Sequence, residues 1–172
     1  MPGSRTNRPQ PNFQPEEHPT SLAADLPVAG PLGALSGAPG ITVGVDLVEV
    51  ERIAQTVARF GARFLNRVFT AEELQESRRR ITWLAGRFAA KEACAKALGT
   101  GVGAAAAWRD MQVLRLPDGK PFLRLLGDAA ARAEMLGISQ VDLSISHTHQ
   151  YAMAIVVALT RGGGTEHHEK RL

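Results

Sequence analysis

Acidic and basic side chains at helical spacing could bind a phosphate-rich ligand near the middle of this 172-residue chain. Phe88, Glu92 and Lys96 recur every four residues, so on a helix they lie along one face. The spacing leaves two interpretations open. Glu92 and Lys96 either form an ordinary solvated ion pair, worth about 0.3 kcal/mol, or stand together at a site that needs their charges.

Another carboxylate occurs inside an apolar, β-branched segment, where burial without a partner is costly. Asp46 follows Gly44 and Val45 in residues 41–50, which are typical of a buried strand. One interpretation is that Asp46 ends the strand and caps the next helix. The other is that it joins Glu92, because a carboxylate from a strand and one from a helix commonly hold Mg²⁺, with phosphate oxygens and waters completing the octahedron.

Cations and glycines accompany Glu92 along the chain. Three basic residues of the same predicted helix could neutralise phosphate charge: Arg87, Lys91 and Lys96. Three glycines that follow it could offer backbone N–H groups to phosphates: Gly99, Gly101 and Gly103. Because these glycines follow a helix instead of opening one, the pattern is neither a Walker loop nor a Rossmann fingerprint.

The elements that must position these side chains form a predicted domain of about 120 residues, 41–160. Eight of the ten prolines precede residue 40, which predicts a flexible leader over residues 1–40. The polar end of the chain predicts a loose tail over residues 161–172. Strands are predicted at 41–50, 110–116, 121–126, 141–146 and 151–159. Helices are predicted at 52–68, from the Thr70-x-x-Glu73 capping box to about residue 78, at 82–98 and at 127–136. This order favours an α+β fold over a parallel doubly wound sheet.

The motifs resemble those of the 4′-phosphopantetheinyl transferases. Residues 44–49 (GVDLVE) resemble the G-[IV]-D-x-x-E motif, and residues 88–96 (FAAKEACAK) resemble the [WF]-x-x-K-E-A-x-x-K motif. Together with the stretches at 96–101, 119–121 and 144–147, residues 41–159 look like the short, single-unit holo-acyl-carrier-protein synthases. The resemblance implies an antiparallel sheet packed on helices and a homotrimer with coenzyme A bound between neighbours.

This resemblance also implies a reaction, in which the 4′-phosphopantetheine arm of coenzyme A moves to a serine hydroxyl of an apo acyl carrier protein. Asp46 and Glu92 would ligate Mg²⁺, and Lys96 would stabilise the departing phosphate charge. A metal-bound water or Glu92 would take the serine proton. Coenzyme A contacts are expected at Arg87, Lys91, Lys96, Gly99, Pro121, Ser146 and His147. Lys91 is expected in either an ion-pair or a cofactor-edge role.

An acidic carrier protein could dock on the first helix, where arginines fall on one face if the helix passes Gly61 intact. By resemblance Arg52 is the best partner contact, and Arg59 and Arg63 are weaker ones. The alternative is a solvated helix face. The Arg78–Arg80 run is interpreted as a helix end with a favourable dipole interaction.

Composition excludes several classes of protein. The net charge of +3 is only mildly basic, and the single cysteine, Cys94, rules out an intrachain disulfide framework and a cysteine-rich zinc module. Cys94 is expected to serve packing, and its reduced state fits a cytoplasmic protein. No apolar run is long enough for a membrane span. Two alternatives remain: a nucleic-acid-binding module using Arg52, Arg59 and Arg63, disfavoured by an aromatic content of 5%, and a Mg²⁺-dependent nucleotide hydrolase.

Overall fold

The computed structural model describes residues 39–78, 80–101 and 107–161. Almost all of the predicted leader and tail, as well as Arg79 and Gly103, lie outside these ranges. The helices are α1 (Val50–Val68), α2 (Ala71–Ser77), α3 (Ile81–Ala97) and α4 (Gly127–Met135). The strands are β1 (Ile41–Glu49), β2 (Met111–Arg115), β3 (Pro121–Leu125), β4 (Ile138–His147) and β5 (Tyr151–Thr160). The predicted α+β class and the order of the elements are confirmed.

Two antiparallel sheets organise the chain. The larger one has the strand order β1-β5-β4, and β2 with β3 forms a separate hairpin. Small residues alternate along β5 and point to one side of the larger sheet, and all four are buried: Ala152, Ala154, Val156 and Ala158. α3 packs against this inner face across β1 and β5, so the sheet carries its main helix on one side.

Small residues let α3 lie directly on β1. A Cβ atom at Gly44 would clash with the carbonyl oxygen of Ala93 and lie 2.8 Å from the backbone nitrogen of Ala97. Nearer the N-terminal end of the helix, a Cβ atom at Gly86 would lie 2.9 Å from Cγ2 of Ile145 on β4. The glycine two residues before Asp46 therefore sets the distance between the strand and the helix that carry the candidate site.

α1 does not pass Gly61 intact. Gly61 has φ 50° and ψ −131°, a conformation open to a residue without a Cβ atom, and it interrupts the helix. Arg52 and Arg59 precede the break, and Arg63 follows it, so the predicted single arginine face does not form. Phe60, directly before the break, is 48% exposed although it keeps the helical spacing of the apolar residues Ile53, Val57 and Phe64.

The predicted capping box is confirmed, and a glycine follows the end of α3. In the capping box, the backbone N–H of Thr70 donates to Glu73 Oε2 at 2.8 Å, and the backbone N–H of Glu73 donates to Thr70 Oγ1 at 3.3 Å. Gly99 follows α3 in the left-handed conformation, with φ 65°. Cys94 is buried, and burial raises the pKa of its thiol to about 12, in agreement with its predicted packing role.

Candidate active site

Asp46 and Lys96 form an ion pair where β1 meets α3. Nζ of Lys96 lies 2.9 Å from Oδ1 of Asp46, and it also donates to the backbone carbonyl oxygen of Val45 at 2.9 Å. The Asp46 side chain is 16% exposed, whereas that of Lys96 is 52% exposed. Within the described residues, the buried Oδ2 of Asp46 has no hydrogen-bond partner. One oxygen of this carboxylate is thus left for a further ligand.

Glu92 lies one helical turn before Lys96 and faces the same charges. Burial raises the pKa of its carboxyl above the ordinary value, and the negative charge of Asp46 raises it further, while the cations of Lys96 and Arg52 act in the opposite direction. The structure therefore brings Asp46, Glu92 and Lys96 into one cluster, with Arg52 at its edge. We call Asp46 and Glu92 the acidic pair.

The acidic pair has the donor chemistry of a Mg²⁺ site. Mg²⁺ takes oxygen ligands and usually keeps several waters, so one or two carboxylates together with substrate phosphates are enough to hold it. No group of three or more His, Cys, Asp or Glu residues suited to a metal ion occurs in the ranges that the structure describes. Two carboxylates, one with an unpartnered oxygen, fit Mg²⁺ that is shared with a phosphate ligand.

We expect Gly44→Ala to lower the free energy of unfolding by about 1–3 kcal/mol, the usual cost of overpacking a dense core. The added Cβ atom would meet backbone atoms of α3, which cannot rotate away as a side chain can. Urea denaturation measures the change. Gly86→Ala is the matched control, because its Cβ atom meets the end of the Ile145 side chain. An equal or smaller loss in Gly44→Ala than in Gly86→Ala would contradict this account of how α3 is seated.

Lys91 lies in the interior and not at a ligand surface. Its Nζ donates to Oε2 of Glu73 and to the carbonyl oxygen of Trp108, both at 2.9 Å, and both charged side chains are 0% exposed. Burial lowers the pKa of Lys91, and the charge of Glu73 opposes this shift. Of its two predicted roles, the structure gives Lys91 the ion pair; the cofactor-edge role is wrong for this conformation, because the ammonium group has no exposed surface.

Arg87 lies on another side of α3 from Glu92, since residues five apart on an α-helix do not share a face. Arg87 is 4% exposed, and its guanidinium carbon lies 3.7 Å from the ring centroid of Trp83. Burial, assisted by the nearby charge of Arg115, lowers its pKa to about 10. Among the described residues, Nε and Nη2 of Arg87 are buried without a hydrogen-bond partner.

A pocket of about 510 Å³ opens beside Trp83. Three arginines and one glutamate are among its lining residues, which are Gln75, Glu76, Arg78, Arg80, Trp83 and Arg115. We call it the basic pocket. The sequence interpretation missed it, because Arg78 and Arg80 were explained as a helix end and Arg115 was not singled out. Arg78 adopts a left-handed conformation with φ 46°, unusual for a residue other than glycine. Neither member of the acidic pair lines this pocket.

The remaining predicted contacts lie in separate places. Ser146 pairs with Met153 of β5, so it lies on the outer face of the larger sheet, opposite to the inner face that carries Asp46. His147 ends β4 and is exposed, and Pro121 begins β3. Gly99 lies three residues beyond Lys96, whose carbonyl oxygen accepts its backbone N–H at 3.0 Å. One chain therefore brings Gly99 next to the backbone of Lys96 but does not bring Ser146 to the face that carries Asp46.

The three predicted partner contacts are all exposed on α1. Arg52 lies in the first turn, directly after the strand that carries Asp46, and its charge reaches Glu92. The guanidinium carbon of Arg59 lies 5.0 Å from the ring centroid of Phe60. Arg63 lies beyond the break at Gly61. In the ranges that the structure describes, no helix has the length and apolar character needed to cross a membrane.

Comparison with known proteins gives consistent results. Residues 42–156 match the model of the 4′-phosphopantetheinyl transferase superfamily. The chain is 47% identical over 117 residues to a holo-[acyl-carrier-protein] synthase of Koribacter versatilis, covering 66% of this chain and 94% of that protein. It resembles the crystal structure of the Helicobacter pylori holo-[acyl-carrier-protein] synthase in complex with coenzyme A, with TM-score 0.63, 33% identity, and coverage of 67% of this chain and 98% of that one. The Chronobacterium ammoniagenes ACPS-CoA complex is similar to it with TM-score 0.62 and 34% identity, over 72% of this chain and 98% of that one.

Proposed function

Since this chain belongs to the 4′-phosphopantetheinyl transferase superfamily, as one of its holo-[acyl-carrier-protein] synthases, we propose that it moves the 4′-phosphopantetheine arm of coenzyme A to a serine of an apo acyl carrier protein. The serine oxygen forms a bond to the β-phosphorus, and the bond from this phosphorus to the bridging oxygen breaks. Adenosine 3′,5′-bisphosphate leaves, and the serine hydroxyl loses its proton. The observation that carries the proposal is the cluster of Asp46, Glu92 and Lys96 at the contact between β1 and α3.

The acidic pair would hold Mg²⁺ beside the pyrophosphate of coenzyme A, where the bound ion supplies positive charge to the phosphate oxygens. Asp46 is fixed by β1 and offers its unpartnered Oδ2. The side chain of Lys96 is flexible and half exposed, and its ammonium group is positioned to donate a hydrogen bond to the departing phosphate. Glu92, or a water beside it, accepts the serine proton, and the raised pKa of Glu92 suits that task.

The phosphates of coenzyme A that lie far from the acidic pair need other cations. The three arginines of the basic pocket supply them, since arginine binds phosphate in a bidentate manner, and Arg87 stacks on Trp83 in the wall of this pocket. We assign the adenosine end of coenzyme A to this pocket, with His147 and Pro121 as further contacts. Because Arg87 and Glu92 face different sides of α3, we infer that one coenzyme A uses the acidic pair of one chain and the basic pocket of its neighbour.

The outer face of the larger sheet supports an assembly of several chains. Eight large apolar side chains on this face are 38–59% exposed: Ile41, Val43, Val45, Leu47, Tyr151, Met153, Ile155 and Leu159. Contiguous apolar surfaces of this kind are uncommon on monomers and are typical of contacts between proteins. We propose that copies of this chain cover the face in a homotrimer.

Val43→Glu is expected to convert the trimer into monomers, because it places a charge within the proposed contact, where Val43 is 55% exposed in the single chain. Sedimentation velocity measures the assembly. Met135→Glu is the matched control, since Met135 is 77% exposed on α4 and away from this face. A Val43→Glu protein that sediments as the wild type does would rule out this interface.

Arg52→Glu is expected to raise the KM for the carrier protein by tenfold or more, because the first turn of α1 would meet an acidic partner with the wrong charge. The affinity for coenzyme A should change far less. Initial rates at varied carrier-protein concentration and calorimetric titration with coenzyme A measure the two effects. Arg161→Glu, a charge reversal at another exposed arginine directly after β5, serves as the control. Equal effects of Arg52→Glu on both substrates would refute the docking role.

The intact mass of an apo acyl carrier protein, incubated with coenzyme A, Mg²⁺ and this protein, tests the proposed function. A gain of one phosphopantetheine group, with one adenosine 3′,5′-bisphosphate released for each modified carrier, is the expected result. Consumption of coenzyme A without a change in carrier mass would instead indicate a nucleotide hydrolase. Absence of both, with salt-sensitive binding to nucleic acid, would indicate a binding module.

A further inference from the structure

We propose that Lys96 is an exchangeable counter-ion of the acidic pair, which leaves Asp46 when Mg²⁺ binds and then pairs with a coenzyme A phosphate. This inference rests on the proposed function, since it concerns the order of events at the same site. It assigns Lys96 two successive partners instead of one. Its consequence is that Mg²⁺ and coenzyme A assist each other's binding.

The contacts of Lys96 show both the pairing and the freedom to leave it. Nζ is held at 2.9 Å by Oδ1 of Asp46 and at 2.9 Å by the carbonyl oxygen of Val45. Asp46 is mostly buried on a strand of the central sheet, whereas Lys96 is 52% exposed and reaches the site through four methylene groups. Of the two partners, only the lysine side chain can swing away without disturbing the fold.

The charges favour such a movement. An ammonium group that touches one oxygen of a carboxylate repels a divalent cation that approaches the same carboxylate, and the repulsion grows as water is excluded. Glu92, the other member of the acidic pair, is also close to Asp46 and Lys96, because both of their charges act on its pKa. A dication at the acidic pair therefore weakens the attraction between Asp46 and Lys96. The partner that Lys96 then keeps, the carbonyl oxygen of Val45, carries no charge.

A phosphate offers Lys96 the anionic partner that Mg²⁺ takes from it. Charge-assisted hydrogen bonds of this kind are about twice as strong as neutral ones. Each ligand then removes part of the cost that the other meets: Mg²⁺ frees the lysine for the phosphate, and the phosphate keeps the lysine from competing with Mg²⁺. Because binding free energies are linked, the assistance is equal in both directions.

Two measurements on the full chain test the exchange. The first is the affinity for Mn²⁺, a paramagnetic substitute for Mg²⁺, measured by electron paramagnetic resonance without coenzyme A. Lys96→Met should bind Mn²⁺ about 1.5- to fivefold more tightly than the wild type, the range expected from an exposed ion pair. Lys120→Met is the matched control, since Lys120 forms an exposed pair with Asp142 at 3.0 Å, and its Mn²⁺ affinity should not change.

The second measurement is the rate at which an amine-acetylating reagent modifies Lys96 in the wild type, followed by peptide mass spectrometry. Mg²⁺ alone should raise the rate at Lys96 and leave the rate at Lys120 unchanged, and further addition of coenzyme A should lower the rate at Lys96 again. If Lys96→Met tightens Mn²⁺ binding but Mg²⁺ leaves the acetylation rate of Lys96 unchanged, the lysine acts at long range without moving, and the exchange is refuted. It is equally refuted if Lys96→Met does not alter Mn²⁺ affinity.

Asp46→Asn separates this inference from the proposed function. If Asp46→Asn binds Mn²⁺ as tightly as the wild type does, the acidic pair is not the metal site, and the proposed function is refuted with it. Mn²⁺ binding that depends on Asp46 but not on the presence of Lys96 would leave the metal site in place and refute only the exchange.

Discussion

Asp46→Asn is expected to lower the rate of phosphopantetheine transfer by on the order of a thousandfold, the loss typical of removing a principal electrostatic group from an active site. Asparagine keeps the size of the side chain but removes the charge from the only member of the acidic pair that lies on the sheet. Steady-state rates with saturating coenzyme A and carrier protein measure the loss. Glu92→Gln should have an effect of similar size, because its carboxyl shares the same site.

The matched control for Asp46→Asn is Asp128→Asn, an exposed carboxylate in the first turn of α4. Its transfer rate should stay within about twofold of the wild type, as expected for a surface substitution. Thermal denaturation of both variants shows whether the fold is retained. If Asp46→Asn folds normally and keeps more than a tenth of the wild-type rate, the acidic pair is not the centre of catalysis.

Lys91→Met should destabilise the folded chain by about 3–5 kcal/mol, because removing one partner of a buried ion pair leaves an uncompensated charge in the interior. Glu73 is 0% exposed, and its carboxylate joins three parts of the fold. Oε2 accepts from Lys91 and from the backbone N–H of Thr70, and Oε1 accepts from the backbone N–H of Val113 at 3.0 Å. Urea denaturation of the variant and the wild type measures the loss.

Lys120→Met again provides the comparison, since it removes a lysine from an exposed pair and should cost less than about 1 kcal/mol. The double variant Lys91→Met with Glu73→Gln should recover part of the lost stability, because no charge is then left unpaired in the interior. If Lys91→Met costs no more than Lys120→Met, the buried pair has no structural role. A lysine with only a ligand-binding role would show that result.

The part of the site that could be predicted from the sequence is the part encoded by local patterns. An acid in an apolar strand, and an acid and a base one turn apart on a helix, predicted the elements that meet at Asp46, Glu92 and Lys96. The structure adds that glycine on β1 faces alanines on α3, which allows the close approach of strand and helix. Only the resemblance to a known family, however, indicated that this particular strand and helix belong to one site.

The pairing of Lys91 with Glu73 could not be predicted in this way. The two residues lie 18 positions apart on different helices, and the capping box explained Glu73 fully without a further partner. Likewise, the basic pocket combines residues from the end of α2, the start of α3 and β2. No spacing along the chain reports that Arg115 and Arg80 line one cavity, because tertiary packing alone brings them there.

The break in α1 shows a different limit of sequence patterns. Apolar residues keep helical spacing on both sides of Gly61, and glycine is tolerated within helices at a modest cost. Glycine is also the residue that most readily adopts a positive φ. The apolar spacing around Gly61 is therefore compatible with either a continuous or a broken helix. The exposed ring of Phe60, beside the break, is the consequence that spacing could not reveal.

The measurement that tests the account most directly is a time course of intact carrier-protein mass, run in parallel with the wild type, Asp46→Asn and Glu92→Gln in the presence of Mg²⁺ and coenzyme A. We expect complete conversion of the apo carrier by the wild type, conversion slowed on the order of a thousandfold by each variant, and no conversion by the wild type when a chelator removes the metal. Conversion by either variant at the wild-type rate, or an unmodified carrier with the wild type, would contradict the assignment of the acidic pair as the active site.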